Sequence, residues 1–286
     1  MYKPLNRLSI NIAGITIRVE SEIDLNRFND IEFYKDFRTK ADLSHCEIEL
    51  KIEEPPLLKH GKCIFNPAGN WQFSEIDGKK LLQVGPTNRG RPDEVIIFNS
   101  DWTKGTTYRM HIYELFRRFL DQFILINLLS ERRGFLLHSA GLIYDDKGIC
   151  FAGPSGAGKS TLIKLLRGEV KEKHLLSDDR LAVRNYRNKW FVYGTPWYGE
   201  VPVASKAKAE LKAIFFIRHA NRSYLLRLSP AQGCQRLIQN TLMPFWDKSA
   251  TIKVLKAFKI IAQEIPCLEM GFLPDKSVVD LVKSAV

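Results

Sequence analysis

Nine consecutive residues, Gly153-Pro154-Ser155-Gly156-Ala157-Gly158-Lys159-Ser160-Thr161, form a complete G-x-x-x-x-G-K-[ST] phosphate-binding loop. Gly153, Gly156 and Gly158 let successive backbone N–H groups turn inward around an anion, and a following helix adds the positive end of its dipole. Ser155, Ala157 and Thr161 complete the cradle. Lys159 would reach the β- and γ-phosphates, and the Ser160 hydroxyl would ligate Mg²⁺, with Thr161 as the poorer substitute. The expected ligands are therefore a nucleoside triphosphate, taken as ATP, and Mg²⁺; the loop alone does not choose ATP over GTP.

Some twenty residues downstream stands a second group, Ser177-Asp178-Asp179-Arg180, in which two adjacent carboxylates interrupt an apolar run. A strand ending there puts both carboxylates at the C-terminal edge of a sheet, where ligands of open α/β sheets bind. The elements that must position these groups are legible nearby. Gly148-Ile149-Cys150-Phe151-Ala152 reads as a buried strand feeding the loop, and Leu162 to Leu166 has helical spacing. Upstream, Phe135 to Ile143 is a second apolar run containing His138-Ser139-Ala140-Gly141, and Asp145-Asp146-Lys147-Gly148 between the two runs is a hairpin signal. Most P-loop proteins reach the loop by a crossover; here the chain arrives through a hairpin.

The His-Ser-Ala-Gly strand, the hairpin, the Gly-x-Ser-Gly-x-Gly-Lys-Ser core and Ser-Asp-Asp-Arg together resemble the catalytic domain of HPr kinase/phosphorylase, over residues 134 to 200 and more loosely beyond. That family's P-loop fold is related to phosphoenolpyruvate carboxykinase. The resemblance implies an α/β domain with a central mixed sheet, a homo-oligomer, and phosphoryl transfer from ATP to a serine. It also implies that one aspartate accepts the target hydroxyl's proton, that the other holds metal, and that His138 sits beside the phosphates or the base. Asp178 is taken as base and Asp179 as metal partner, an order the pattern would equally allow reversed; Lys159 serves the phosphates. The family's Glu-Ile-Arg-Gly-x-Gly signature is absent, and the corresponding stretch reads Tyr193-Gly194-Thr195-Pro196-Trp197-Tyr198-Gly199-Glu200, which offers Glu200 as a further metal ligand. This departure is similar to the HPr-kinase-like proteins of peptide natural-product clusters, including lasso-peptide kinases that phosphorylate a serine at the end of a precursor. A small-molecule kinase of the free-serine kind, and a non-catalytic nucleotide sensor, are the alternatives.

The rest of the chain supplies context. Its formal charge is +11, but the basic residues are scattered and no nucleic-acid motif accompanies them, so no nucleic-acid partner is expected. The longest apolar stretch, near Phe123 to Leu129, is too short for a bilayer, and no signal peptide precedes Tyr2-Lys3-Pro4. Five cysteines without Cys-x-x-Cys spacing indicate neither a disulfide framework nor zinc, so a cytoplasmic protein with no membrane partner is the expectation. Residues 1–103 read as a strand-rich, α+β N-terminal domain for docking a peptide or protein substrate or for packing, and 104–286 as the catalytic domain. Alternation at Leu8 to Val19 and Cys46 to Ile52 marks strands, as do Trp71 to Phe73 and Val95 to Phe98, with turns at Glu54-Pro55-Pro56 and across 85–92. A helix is expected from about Thr106 to Glu131, its Arg117 and Arg118 offering a face to an acidic peptide. Further on come strands at Ala213 to Ile217, Leu225 to Leu228 and Pro266 to Phe272. Helices are expected from a Ser229-Pro230 start, over Ala250 to Glu264 and over Ser277 to Ser284. Arg218 and His219 follow a strand where Arg218 could touch a phosphate.

Overall fold

A computed structural model of the chain describes residues 5–56, 62–67, 70–85, 92–116, 119–275 and 277–285. It divides the chain into two compact units, residues 1–128 with 245–247, and residues 129–244 with 248–286. Each is built on a mixed sheet, giving an α/β protein. Among the described residues no helix is long and apolar enough to cross a membrane.

Two-residue turns organise both sheets. Ala13–Gly14, Asp77–Gly78, Asp145–Asp146 and Arg187–Asn188 all have positive φ at both positions, the geometry whose twist matches that of paired strands. The first turn joins β1 (Asn6–Ile12) to β2 (Ile15–Ser21). There follow β3 (Cys46–Ile52), β4 (Lys62–Phe65), β5 (Trp71–Ile76), β6 (Lys79–Val84), β7 (Glu94–Phe98) and β8 (Lys104–Arg109). Their order in the sheet is β1-β2-β3-β8-β7-β6-β5-β4, parallel at β2–β3 and β3–β8 and antiparallel elsewhere.

Two expectations are corrected here. Thr106 to Arg109 is strand, because Thr106, Thr107 and Tyr108 suit a pleated surface and pair with β3 on one side and β7 on the other. The helix α1 spans only Leu120–Ser130, and Arg117 and Arg118 lie outside the described residues. The boundary between units accordingly falls after Leu128 rather than after residue 103. The chain also returns briefly to the first unit: Trp246 stacks on Phe123 at 4.5 Å and donates its indole N–H to Asn127 Oδ1 at 3.0 Å, and Lys80 pairs with Asp247 at 3.1 Å.

The second unit holds β9 (Gly134–Tyr144), β10 (Lys147–Ala152), α2 (Lys159–Leu166), β11 (Leu175–Ser177), β12 (Arg180–Tyr186), β13 (Lys189–Tyr193) and β14 (Lys208–His219). After these come β15 (Tyr224–Arg227), α3 (Pro230–Gln239), α4 (Lys248–Glu264), β16 (Cys267–Phe272) and α5 (Ser277–Lys283). The sheet runs β10-β9-β12-β13-β14-β16-β15, and β14 also pairs in parallel with β10, so five strands close into a ring. One face packs on α3 and α4 through Leu237, Val254, Phe258 and Ile261; the other packs on α2 and α5 through Leu162, Ile163, Val278 and Val282. Each such side chain contributes about 1.5–3 kcal/mol of transfer free energy. The α3 start is a full capping box: Ser229 Oγ accepts from Gln232 N, Gln232 Oε1 accepts from Ser229 N, and Pro230 opens the helix. The cysteines are all free thiols; burial pushes that of Cys150 far up, and it packs as a small hydrophobe in the strand before the loop.

Candidate functional site

Three parallel strands, β10, β14 and β16, carry their C-terminal ends to the same edge of the second sheet. The phosphate-binding loop leaves β10 there and enters α2. Gly156 and Gly158 hold φ of 78° and 97°, left-handed values that a side chain would strain. Gly153 and Ala157 are buried beneath the loop, while Ser155, Gly156, Gly158, Lys159, Ser160 and Thr161 line a cavity of about 350 Å³. The same cavity is lined by His138, Asp178, Asp179, Gly199, Glu200 and His219. The hairpin β9–β10 and the β11–β12 bend thus bring every residue singled out as catalytic to one place.

Lys159 folds over the loop, donating from Nζ to Gly153 O at 2.8 Å and Pro154 O at 3.0 Å. Burial pulls its pKa down, against the opposing pull of Asp179 and Asp178. A phosphate arriving in the cradle supplies the negative charge that such a desolvated ammonium lacks.

The two adjacent aspartates occupy different environments. Asp178 is buried at 2% exposure, and its Oδ1 accepts from Gly199 N at 2.6 Å, its Oδ2 from Val201 N at 2.8 Å and from Ser160 Oγ at 3.1 Å. Three of its four lone-pair positions are therefore occupied. Asp179 is more open: His138 Nε2 lies 3.4 Å from its Oδ1, and Arg180 Nη1 3.1 Å from its Oδ2. Burial would raise its pKa, but the hydrogen bond from His138 and the charges of Arg180 and Lys159 outweigh that and hold the carboxyl below the usual aspartate range. Register explains the closeness of His138, which faces Arg180 directly across β9 and β12. Ser177 pins the bend, its hydroxyl donating to Trp197 O at 2.7 Å and accepting from Asp179 N at 3.1 Å and Arg180 N at 3.3 Å.

The expected metal set, Ser160, Asp179 and Glu200, lines this one cavity. Ser160 bonds Asp178, and Glu200 stands at the cavity rim with its side chain 78% exposed, 4.0 Å from Lys164. Among the described residues no group of three or more His, Cys, Asp and Glu side chains forms a cage for a metal ion. Ser160 with Asp178 behind it does fit Mg²⁺, which takes one or two protein oxygens and completes its shell with water and phosphate. Arg218 is drawn to Glu269 at 3.5 Å; its neighbour His219 is the residue that meets the loop, with Nε2 2.7 Å from Gly156 O. Neither His219 nor the backbone N–H groups of Gly199 and Val201 belong to a motif, so nothing in the sequence marked them.

No protein-family model matches the chain, and no curated protein matches it. Among solved structures the chain is similar to the HPr(Ser) kinase/phosphatase from Coxiella burnetii, with a TM-score of 0.32 and 10% sequence identity over 52% of this chain and 87% of that one.

Proposed function

We propose that the second unit is an ATP-dependent, Mg²⁺-requiring phosphotransferase acting on a serine hydroxyl of a peptide or protein, with the roles of the aspartates exchanged relative to the sequence reading. The observation that carries this is the unequal pair: a buried Asp178 with three donors, tied to Ser160, and a more accessible, ionised Asp179 tied to His138, both walls of one cavity with the phosphate loop. The loop N–H groups and Lys159 bind the phosphates. Ser160 would hold the metal, with Asp178 orienting the Ser160 hydroxyl. When bound, Mg²⁺ neutralises charge on the phosphates. Asp179 takes the serine Oγ–H proton as the Oγ–P bond forms and the bond to the β,γ-bridging oxygen breaks, releasing ADP. Its lowered pKa keeps the carboxylate ionised and so able to accept a proton that leaves late in a loose transfer, and such general-base help contributes about 10²–10⁴-fold. A precursor peptide carrying a terminal serine, as in the lasso-type resemblance of the motifs, is the substrate class favoured.

Transfer of labelled γ-phosphate from ATP to serine-bearing peptides, compared with free serine, tests the reading. Phosphopeptide formation that disappears in Lys159→Ala supports it. Phosphorylation of free serine alone would move the substrate class to small molecules, and ATP binding without any transfer would leave a sensor.

A further inference from the structure

Resting on that nucleotide-binding reading, the ends of β14 and β16 add something the motif does not contain. His219 and Phe272 are register partners on one rung between these parallel strands, and both meet the phosphate loop. His219 is exposed, lines the cavity and donates Nε2–H to Gly156 O at 2.7 Å, which requires the ring to carry its proton on Nε2. Phe272 is 4% exposed and closes on Gly158 so tightly that a Cβ added there would lie 2.9 Å from its ring.

Two ties within the loop hold its apex, while its far end is tied outward by Ser160 Oγ to Asp178 Oδ2 at 3.1 Å. Ala157 N donates to Pro154 O at 3.2 Å, and Lys159 Nζ bridges Gly153 O and Pro154 O. A triphosphate that recruits Lys159 removes the lysine tie at the moment the cradle must hold its shape. The His219 bond, anchored in a strand outside the loop, does not depend on Lys159. We infer that His219, seated on the Phe272 rung, is a positioning residue that clamps the apex of the loop and keeps its N–H groups aimed at the phosphates, lowering the ordering cost of nucleotide binding.

Calorimetric titration with Mg·ATP, together with unfolding midpoints in the presence and absence of nucleotide, tests the clamp in wild type, His219→Ala and His219→Gln. In His219→Ala the Kd for Mg·ATP rises about three- to tenfold, the range for one net hydrogen bond, and the KM for ATP rises by more than kcat falls. The nucleotide-free midpoint stays at the wild-type value while the ATP-induced increase shrinks. His219→Gln, which presents an N–H at about the reach of Nε2, recovers most of the affinity. Unchanged affinity in His219→Ala, equal weakness of Ala and Gln, or a lowered nucleotide-free midpoint each overturns the clamp while leaving the nucleotide reading intact. Wild-type protein that fails to bind Mg·ATP overturns both.

Discussion

The two units place the same residue types in opposite service. In the first, Glu94 and Arg109 face each other across β7 and β8 at 2.7 Å, 2% and 4% exposed, and Arg109 also donates to the carbonyls of Glu114 and Leu115. Asp121 is fully buried, receiving the Tyr34 hydroxyl at 2.6 Å. In the second, Asp179 faces Arg180 and His138 with part of its carboxylate still open to a cavity. A charge whose donors and solvent are both settled by the fold holds architecture together; one left with spare lone pairs and an approach route can do chemistry. Asp178 and Asp179 repeat that contrast within two residues.

The largest effect expected from this difference is on stability. Arg109→Ala strands a buried carboxylate and costs about 3–5 kcal/mol, read as a shift of the denaturant midpoint. Replacing both partners, Glu94→Leu with Arg109→Met, restores most of it. A single-mutant loss under about 1 kcal/mol would mean that the pair is hydrated and that the contrast with Asp179 is one of degree.

A smaller effect is expected at His138. His138→Ala lowers the transfer rate about fivefold, the factor that ~1 kcal/mol gives, with little change in stability. It also moves the acid limb of the pH–rate profile upward, toward the ordinary aspartate value of about 3.9, because the His138 hydrogen bond is among the interactions that depress Asp179. The sign follows from the folded pKa lying below the unfolded one: the stability that Asp179 lends is present above the unfolded value and is lost as pH falls through the folded value. An unmoved acid limb would remove His138 from contact with the titrating group.

How much of this was legible in the sequence depended on whether the signal was local. The loop was, because Gly156 and Gly158 must hold φ that other residues resist; so were the Asp145–Asp146 hairpin and the Ser229-Pro230 helix start. Thr106 to Arg109 reads as helix in the sequence because the apolar spacing further on extends backward over residues whose strand pairing comes from β3, over fifty residues away in the chain. The difference between the two aspartates was hidden because it is set by where each carboxylate points. Asp178 turns to the backbone of Gly199 and Val201, some twenty residues on, and Asp179 turns back to His138, forty residues before. His219 was passed over in favour of Arg218 because its partner is a loop carbonyl, which leaves no side-chain pattern to find.

The central claim is that Asp179 does the chemistry and Asp178 builds the site. Mg·ATP affinity and phosphoryl-transfer rate, measured side by side in Asp178→Asn and Asp179→Asn, test it most directly. Asp179→Asn should keep the affinity and lose about 10²-fold or more in rate, the lower range for general-base help. Asp178→Asn, whose amide NH2 would face either the Gly199 N–H or the Val201 N–H and Ser160 hydroxyl, should lose Mg·ATP affinity first. The reverse pattern, with affinity lost in Asp179→Asn and rate alone lost in Asp178→Asn, would contradict the account.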